Sequence, residues 1–150
     1  VGVRIGALHV RRSIFIHGSA QRVWEEFESF DRVSRWLGLG HKLHALELVT
    51  GGAVDLSVEI DGKERHYGGK VVLIEPEREL TFESNWEPPH AWPVPTFWTL
   101  RLTPLYAGTL VELFHHGFER LGAEAADSLE GYEQGWDVKH LKALRAIVEG

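Results

Sequence analysis

The chain carries nine histidines and no cysteine. Thiolate catalysis, disulfides, thiolate-zinc sites and iron-sulfur clusters are therefore excluded, and any chemistry must run on oxygen and imidazole groups. His115, on a predicted last strand, and His140, on a predicted C-terminal helix, are both expected to point inward. A buried imidazole must find a hydrogen-bond partner, and burial keeps it neutral. The two read either as core histidines or as groups that orient a ligand or move a proton. Tyr132 and Arg35 would add a phenol and a charge at the mouth of such a site. Ser84 near His115 is the one hydroxyl worth considering as a nucleophile. No Gly-x-Ser-x-Gly elbow and no phosphate-cradling glycine loop accompany it, so no catalytic residue is assigned.

No metal and no cofactor are expected. His115 and His116 are strand neighbours that face opposite sides of a sheet. His41 and His44 sit in a glycine-flanked loop with no carboxylate before Glu47. The six tryptophans are the stronger signal. Trp24, beside Val23 and Phe27, reads as core filling. Trp36, Trp86, Trp98 and Trp136 fall near predicted element ends facing a concavity, where rigid aromatics can hold a flat apolar ligand.

The elements that must position these groups follow from periodicity. His9 to His17 reads as a first strand, its apolar face interrupted by Arg12. Ser19 caps a short helix, and Asp31 is expected to cap a second one that ends at Gly38 and Gly40. Strands then run from Leu43 to His116. Val54, Leu56, Val58 and Ile60 alternate cleanly with polar residues, Asp61-Gly62 signals a hairpin, and Gly68-Gly69 a bulge or sharp bend. Leu80, Phe82, Ser84 and Trp86 share one face, as do Trp98, Leu100 and Leu102, and Val111, Leu113 and His115. Between them Pro88 to Pro95 forms a stiff loop, a candidate lid. Ala123 to Val148 reads as one long amphipathic helix with Leu129, Tyr132, Trp136, Ala143, Leu144 and Ile147 in one arc.

These elements define an α+β domain spanning residues 1–150. About six or seven antiparallel strands curve around the C-terminal helix, with two short helices after the first strand. A single helix cannot fill a broad concavity, so a cavity is expected between the layers. Its walls would be Trp36, Leu56, Val58, Phe82, Ser84 and Trp86 on one side. Trp98, Leu100, Leu113, His115, Tyr132, Trp136 and His140 would complete them. The net charge of -6 argues against nucleic acid. No apolar run is long enough to span or insert in a membrane, and a cytoplasmic location is expected.

The ordered series Ser19-Ala20-Gln21-Arg22-Val23-Trp24, Arg35-Trp36, Gly51-Gly52, Gly69 to Leu80, Gly108-Thr109, His115-His116-Gly117-Phe118 and Gly135-Trp136 resembles the START-like (SRPBCC) superfamily. Within it, the branch resembled is the one named after the C-terminal domain of the heat-shock-chaperone ATPase activator. Ala20 replaces a common proline, and Leu37 replaces the second tryptophan of a common pair. The resemblance implies a helix-grip fold around an apolar cavity. It also implies binding of lipids, sterols or polyketides, with some relatives acting as cyclases or dehydratases. A module that binds a small apolar or aromatic molecule is the leading expectation. An enzyme using an inward histidine as acid or base, of cyclase, dehydratase or hydrolase type, is the second. A co-chaperone-like interaction domain is the third, and a homodimer is compatible with any of them.

Overall fold

The computed structural model describes residues 2–150. β1 (His9–Ile16) is followed by two short helices, α1 (Ala20–Glu25) and α2 (Phe30–Leu37). Then come β2 (Lys42–Leu46), β3 (Ala53–Ile60), β4 (Lys63–Glu75), β5 (Glu79–Trp86), β6 (Thr96–Leu105) and β7 (Gly108–His116). A 3-10 turn over Phe118–Glu124 leads to α3 (Ala125–Gly135) and α4 (Lys139–Glu149). All strands join one antiparallel sheet in the order β1-β7-β6-β5-β4-β3-β2. The α+β, helix-grip reading of the sequence holds. No described helix is long and apolar enough to cross a membrane.

Period-2 alternation builds the inner face. Val10, His115, Trp98, Phe82 and Val71 lie directly opposite one another across five strands. Leu141 and Leu144 of α4 are fully buried against this face, in one cluster with Phe27, Trp36, Leu56 and Leu100. Each such side chain contributes roughly 1.5–3 kcal/mol by leaving water. At the Asp61-Gly62 hairpin both residues adopt positive φ, as its composition demands.

Three local expectations are corrected, and the Pro-rich loop gains an anchor. α2 is capped by Ser29, whose hydroxyl accepts from the Arg32 amide; Asp31 instead sits in the first turn, where its charge suits the helix dipole. The bulge of β4 lies between Val71 and Leu73, and Gly68 (φ +146) serves a different end: a Cβ there would collide with the Val54 carbonyl. The Pro-rich loop is pinned by Asn85, whose side chain holds both the amide and the carbonyl of Trp92. Most consequentially, the long C-terminal helix is two helices. Gly135 ends the first, Trp136 is extended (φ -77, ψ 134), and Asp137 Oδ1 accepts the Lys139 amide at the start of the second. The single apolar arc is thereby divided. Leu129 and Tyr132 pack on Val10, Phe118 and Leu121, whereas Ala143, Leu144 and Ile147 pack on the main core.

The outer face of the sheet is partly covered by residues 3–8 of the chain itself. A one-directional hydrogen-bond ladder fastens them. The Gly6 amide donates to His116 Nδ1 (3.2 Å), so His116 Nε2–H must donate to Thr99 Oγ1 (2.8 Å). Thr99 then donates to Thr81 (2.8 Å), and Thr81 to Glu79 Oε2 (3.1 Å). Glu79 also receives the Val3 amide and Arg101 Nε. On the inner face His115 carries a parallel ladder: Trp136 Nε1–H donates to its Nδ1 (3.0 Å), and Nε2–H donates to Thr96 Oγ1 (2.9 Å), which donates to the Ser84 carbonyl.

Both ladders require neutral imidazoles. Burial holds His115 down to about 3 and His116 down to about 4. In the unfolded chain histidine titrates near 6.5. Between those values the unfolded state takes up protons that the folded state refuses, so stability is complete above about pH 6.5 and is lost as pH falls toward 4. The loss attributable to His116 is on the order of 3 kcal/mol. Urea unfolding of the wild type at pH 7.0, 6.0 and 5.0 should show stability declining stepwise, with a shallower decline for His116→Gln. A flat profile in the wild type would refute the neutral-ladder account.

Candidate functional site

The break between α3 and α4 opens a cavity of about 160 Å³ against the inner face of β4, β5 and β6. Tyr67, Ser84, Trp86 and Trp98 reach it from the strands. Tyr132, Gly135, Trp136, Asp137, Lys139 and His140 come from the helix break, and Leu37 and His41 from the end of α2 and the loop after it.

Its aromatic wall is continuous. Tyr67 lies 5.1 Å from Trp86 and 5.9 Å from Trp98, and Trp98 meets Trp136 edge-on at 4.9 Å, all between ring centroids. Trp86 Nε1–H donates to the Tyr132 hydroxyl at 3.1 Å. The polar side holds a hydrogen bond between the Tyr67 hydroxyl and His41 Nδ1. His140 Nδ1–H donates to the Trp36 carbonyl at 3.0 Å, which leaves Nε2 with its lone pair when the ring is neutral. Burial pushes both imidazoles below the usual histidine range. For His41 the neighbouring His140 and Lys139 add to this; for His140 the Trp36 carbonyl partly opposes it. Burial raises the phenols, Tyr132 to about 12 and Tyr67 further. At neutral pH the wall therefore offers neutral rings beside the charges of Lys139 and Asp137.

Trp98 supplies the anomaly. It is 5% exposed, and its indole Nε1–H is the one buried side-chain polar atom without a partner among the described residues. The indoles of Trp36, Trp86 and Trp136 all donate, to the Glu26 carbonyl, to Tyr132 and to His115. A buried donor left unpaired costs about 1–3 kcal/mol, so its persistence in a cavity wall needs a reason.

Six residues expected at a ligand cavity line this one: Ser84, Trp86, Trp98, Tyr132, Trp136 and His140. Trp36, Leu56, Phe82, Leu100 and Leu113 are instead buried in the core and Val58 packs against it, because α1, α2 and α4 fill most of the concavity. His115 lies behind the wall with both ring nitrogens engaged, which leaves it no lone pair for acid–base work. Arg35 is not at the mouth. It pairs with the fully buried Glu26 at 2.7 Å, beside Arg32 at 2.7 Å and Arg22 at 2.8 Å. Burial alone would raise the Glu26 carboxyl, and these three guanidiniums outweigh it and pull it down.

The sequence reading missed Leu37, His41, Tyr67, Gly135, Asp137 and Lys139. The signal for the last three was present in Gly131, Gly135 and Asp137, two weak helix formers followed by a capping residue. Nothing in a linear pattern brings His41 to Tyr67. Arg12, which interrupts the apolar face of β1, also gains its reason here. Its guanidinium donates to the carbonyls of Glu133 (2.8 Å) and Trp136 (3.1 and 3.3 Å), the free ends of α3.

The sequence profile described as "Activator of Hsp90 ATPase homolog 1-like protein" matches residues 17–149. Among solved structures, a Chromobacterium violaceum protein is 22% identical with a TM-score of 0.73, covering 95% of this chain and 98% of that one. The Aha1 dimer from Colwellia psychrerythraea is 17% identical with a TM-score of 0.65, covering 94% and 96%. DynU16, a protein of the dynemicin biosynthetic locus, is 22% identical with a TM-score of 0.62, covering 95% of this chain and 47% of that one. Among curated proteins no sequence matches.

Replacing Arg12 by Met keeps the stem of the side chain and deletes the donors to Glu133 and Trp136. The expected loss is about 2 kcal/mol of stability with a changed near-ultraviolet signal from Trp136, and Arg12→Lys should recover only part of it. An unaltered denaturation midpoint in Arg12→Met would show that the helix break holds itself.

Proposed function

The chain belongs to the Activator of Hsp90 ATPase homolog 1-like family, and on that footing we propose that it is a binding module for a small, flat aromatic molecule that carries a hydrogen-bond acceptor. The observation that carries this reading is an aromatic cavity one of whose wall residues, Trp98, keeps a buried indole N–H without a partner. A turn of the Trp98 ring would bring that donor to an acceptor on the guest, while the faces of Tyr67, Trp86, Trp98 and Trp136 select for planarity.

Size narrows the class. A cavity of about 160 Å³ is below the roughly 300–1,000 Å³ of drug-sized sites and close to the ~150 Å³ that accepts benzene. One ring is therefore favoured over a sterol or a long acyl chain, which would have to displace Trp98 or Trp136. Acid–base catalysis draws less support, because His115 is sealed and the free Nε2 of His140 has no hydroxyl or carboxyl group hydrogen-bonded to it among the described residues.

Burying roughly 150 Å² of apolar ligand surface contributes about 4 kcal/mol, and pairing the indole adds about 1–3 kcal/mol. Association costs offset part of this, so dissociation constants of about 0.1–1 mM are expected for single-ring compounds. Tryptophan fluorescence titration with phenol, benzoate, acetophenone and toluene tests it. Acceptor-bearing rings should bind about tenfold more weakly to Trp98→Phe than to the wild type, with toluene indifferent to the change. If none of the four perturbs the fluorescence at millimolar concentration, the proposal is wrong.

A further inference from the structure

A second cluster lies on the opposite face of the sheet, away from the cavity. β3 and β4 are paired so that Ser57 faces His66, with Asp55 and Glu64 two residues along on their strands. Period-2 alternation puts these four side chains on one face. β2 adds to them through its bulge between Leu43 and Ala45. His44 is the extra residue there, and its ring lies 4.9 Å from that of His66. One coordinating atom each from His44, Glu64 and His66 falls within 4.8 Å of the other two.

We propose that His44, Glu64 and His66 form a surface site for a zinc-like divalent transition metal ion. Two imidazoles and a carboxylate suit zinc, cobalt or nickel and are poor ligands for calcium or magnesium. The surroundings match what such an ion needs. Asp55 Oδ1 lies 2.9 Å from His66 Nδ1, which fixes the ring so that Nε2 is presented. Nε2 in turn hydrogen-bonds Glu64 Oε1 at 2.9 Å, a contact that an entering ion would replace. A carboxylate behind a histidine in front of a metal is the usual arrangement that orients the ligand. Ser57 Oγ lies 2.7 Å from His44 Nε2 and steadies the second ring. Bonds of about 2.0–2.1 Å in a tetrahedral shell require ligand atoms roughly 3.3 Å apart. Glu64 is more than half exposed and is free to make that adjustment, and water completes the shell. The neighbour of His66 is Tyr67 of the cavity wall, so the two sites lie back to back across one strand.

The test is isothermal titration of the intact chain with Zn²⁺, repeated with Co²⁺ to read its visible absorption. One ion should bind per chain with a dissociation constant in the micromolar range. His66→Ala and His44→Ala should each weaken binding at least tenfold. Asp55→Asn, which leaves every ligand in place, should weaken it by about 10–100-fold. All three changes are on the surface, so thermal unfolding without metal should be nearly unchanged and will certify the fold. Binding weaker than about 1 mM, or binding undiminished in both histidine variants, overturns the proposal.

Discussion

The guanidinium of Arg12 closes the carbonyl end of α3, and much of the architecture follows from that contact. A continuous helix over the same residues would carry its carbonyls onward and leave no gap beside Gly135. The chain instead turns at Trp136, and a cation from the first strand stands where the next helical amides would have been. The turn aims the Trp136 indole at His115 and its ring at Trp98. It also separates two apolar surfaces that would otherwise compete for one direction. α3 covers the small cluster around Phe118, and α4 covers the main core. The cavity is the seam between them.

Polar groups inside this protein are organised as strings with a direction. An amide or indole starts each one, a histidine passes it on, and a carbonyl or carboxylate ends it. Such strings tolerate burial because every donor meets an acceptor. Glu26 meets the same demand differently, by drawing three arginines from α1 and α2 around one buried carboxylate while its carbonyl receives the Trp36 indole. Against this background of satisfied groups, the lone indole of Trp98 is informative about the cavity.

Much of this was legible in the residues alone. Alternation in Val54 to Ile60, the Asp61-Gly62 turn and the Ser19 cap led to the right elements, because local rules and tertiary packing agree there. The C-terminal helix misled because its angular pattern is genuine on both sides of Trp136. An arc test is blind to a break that preserves phase. Core and cavity tryptophans could not be sorted either. Trp36 and Trp98 both fall near predicted element ends, and nothing in their spacing says that the first is sealed in the core with its N–H paired while the second lines the cavity. Arg12 looked like an interruption because its use lies more than a hundred residues away. The grouping of His44 with Glu64 and His66 was equally hidden, since a one-residue bulge in β2 decides which side His44 joins.

The adjacent pair His115-His116 has a consequence for how β7 finds its place. The two rings are chemically identical but project to opposite sides, one requiring an indole and Thr96, the other a backbone amide and Thr99. A misalignment of this strand by a single position would send each imidazole to the wrong surface, orphaning donors on both sides at once. Hydrophobic matching alone would punish that slip through the oily face only. The twin imidazoles act as a keyed joint that accepts one alignment of the strand and rejects its nearest neighbours.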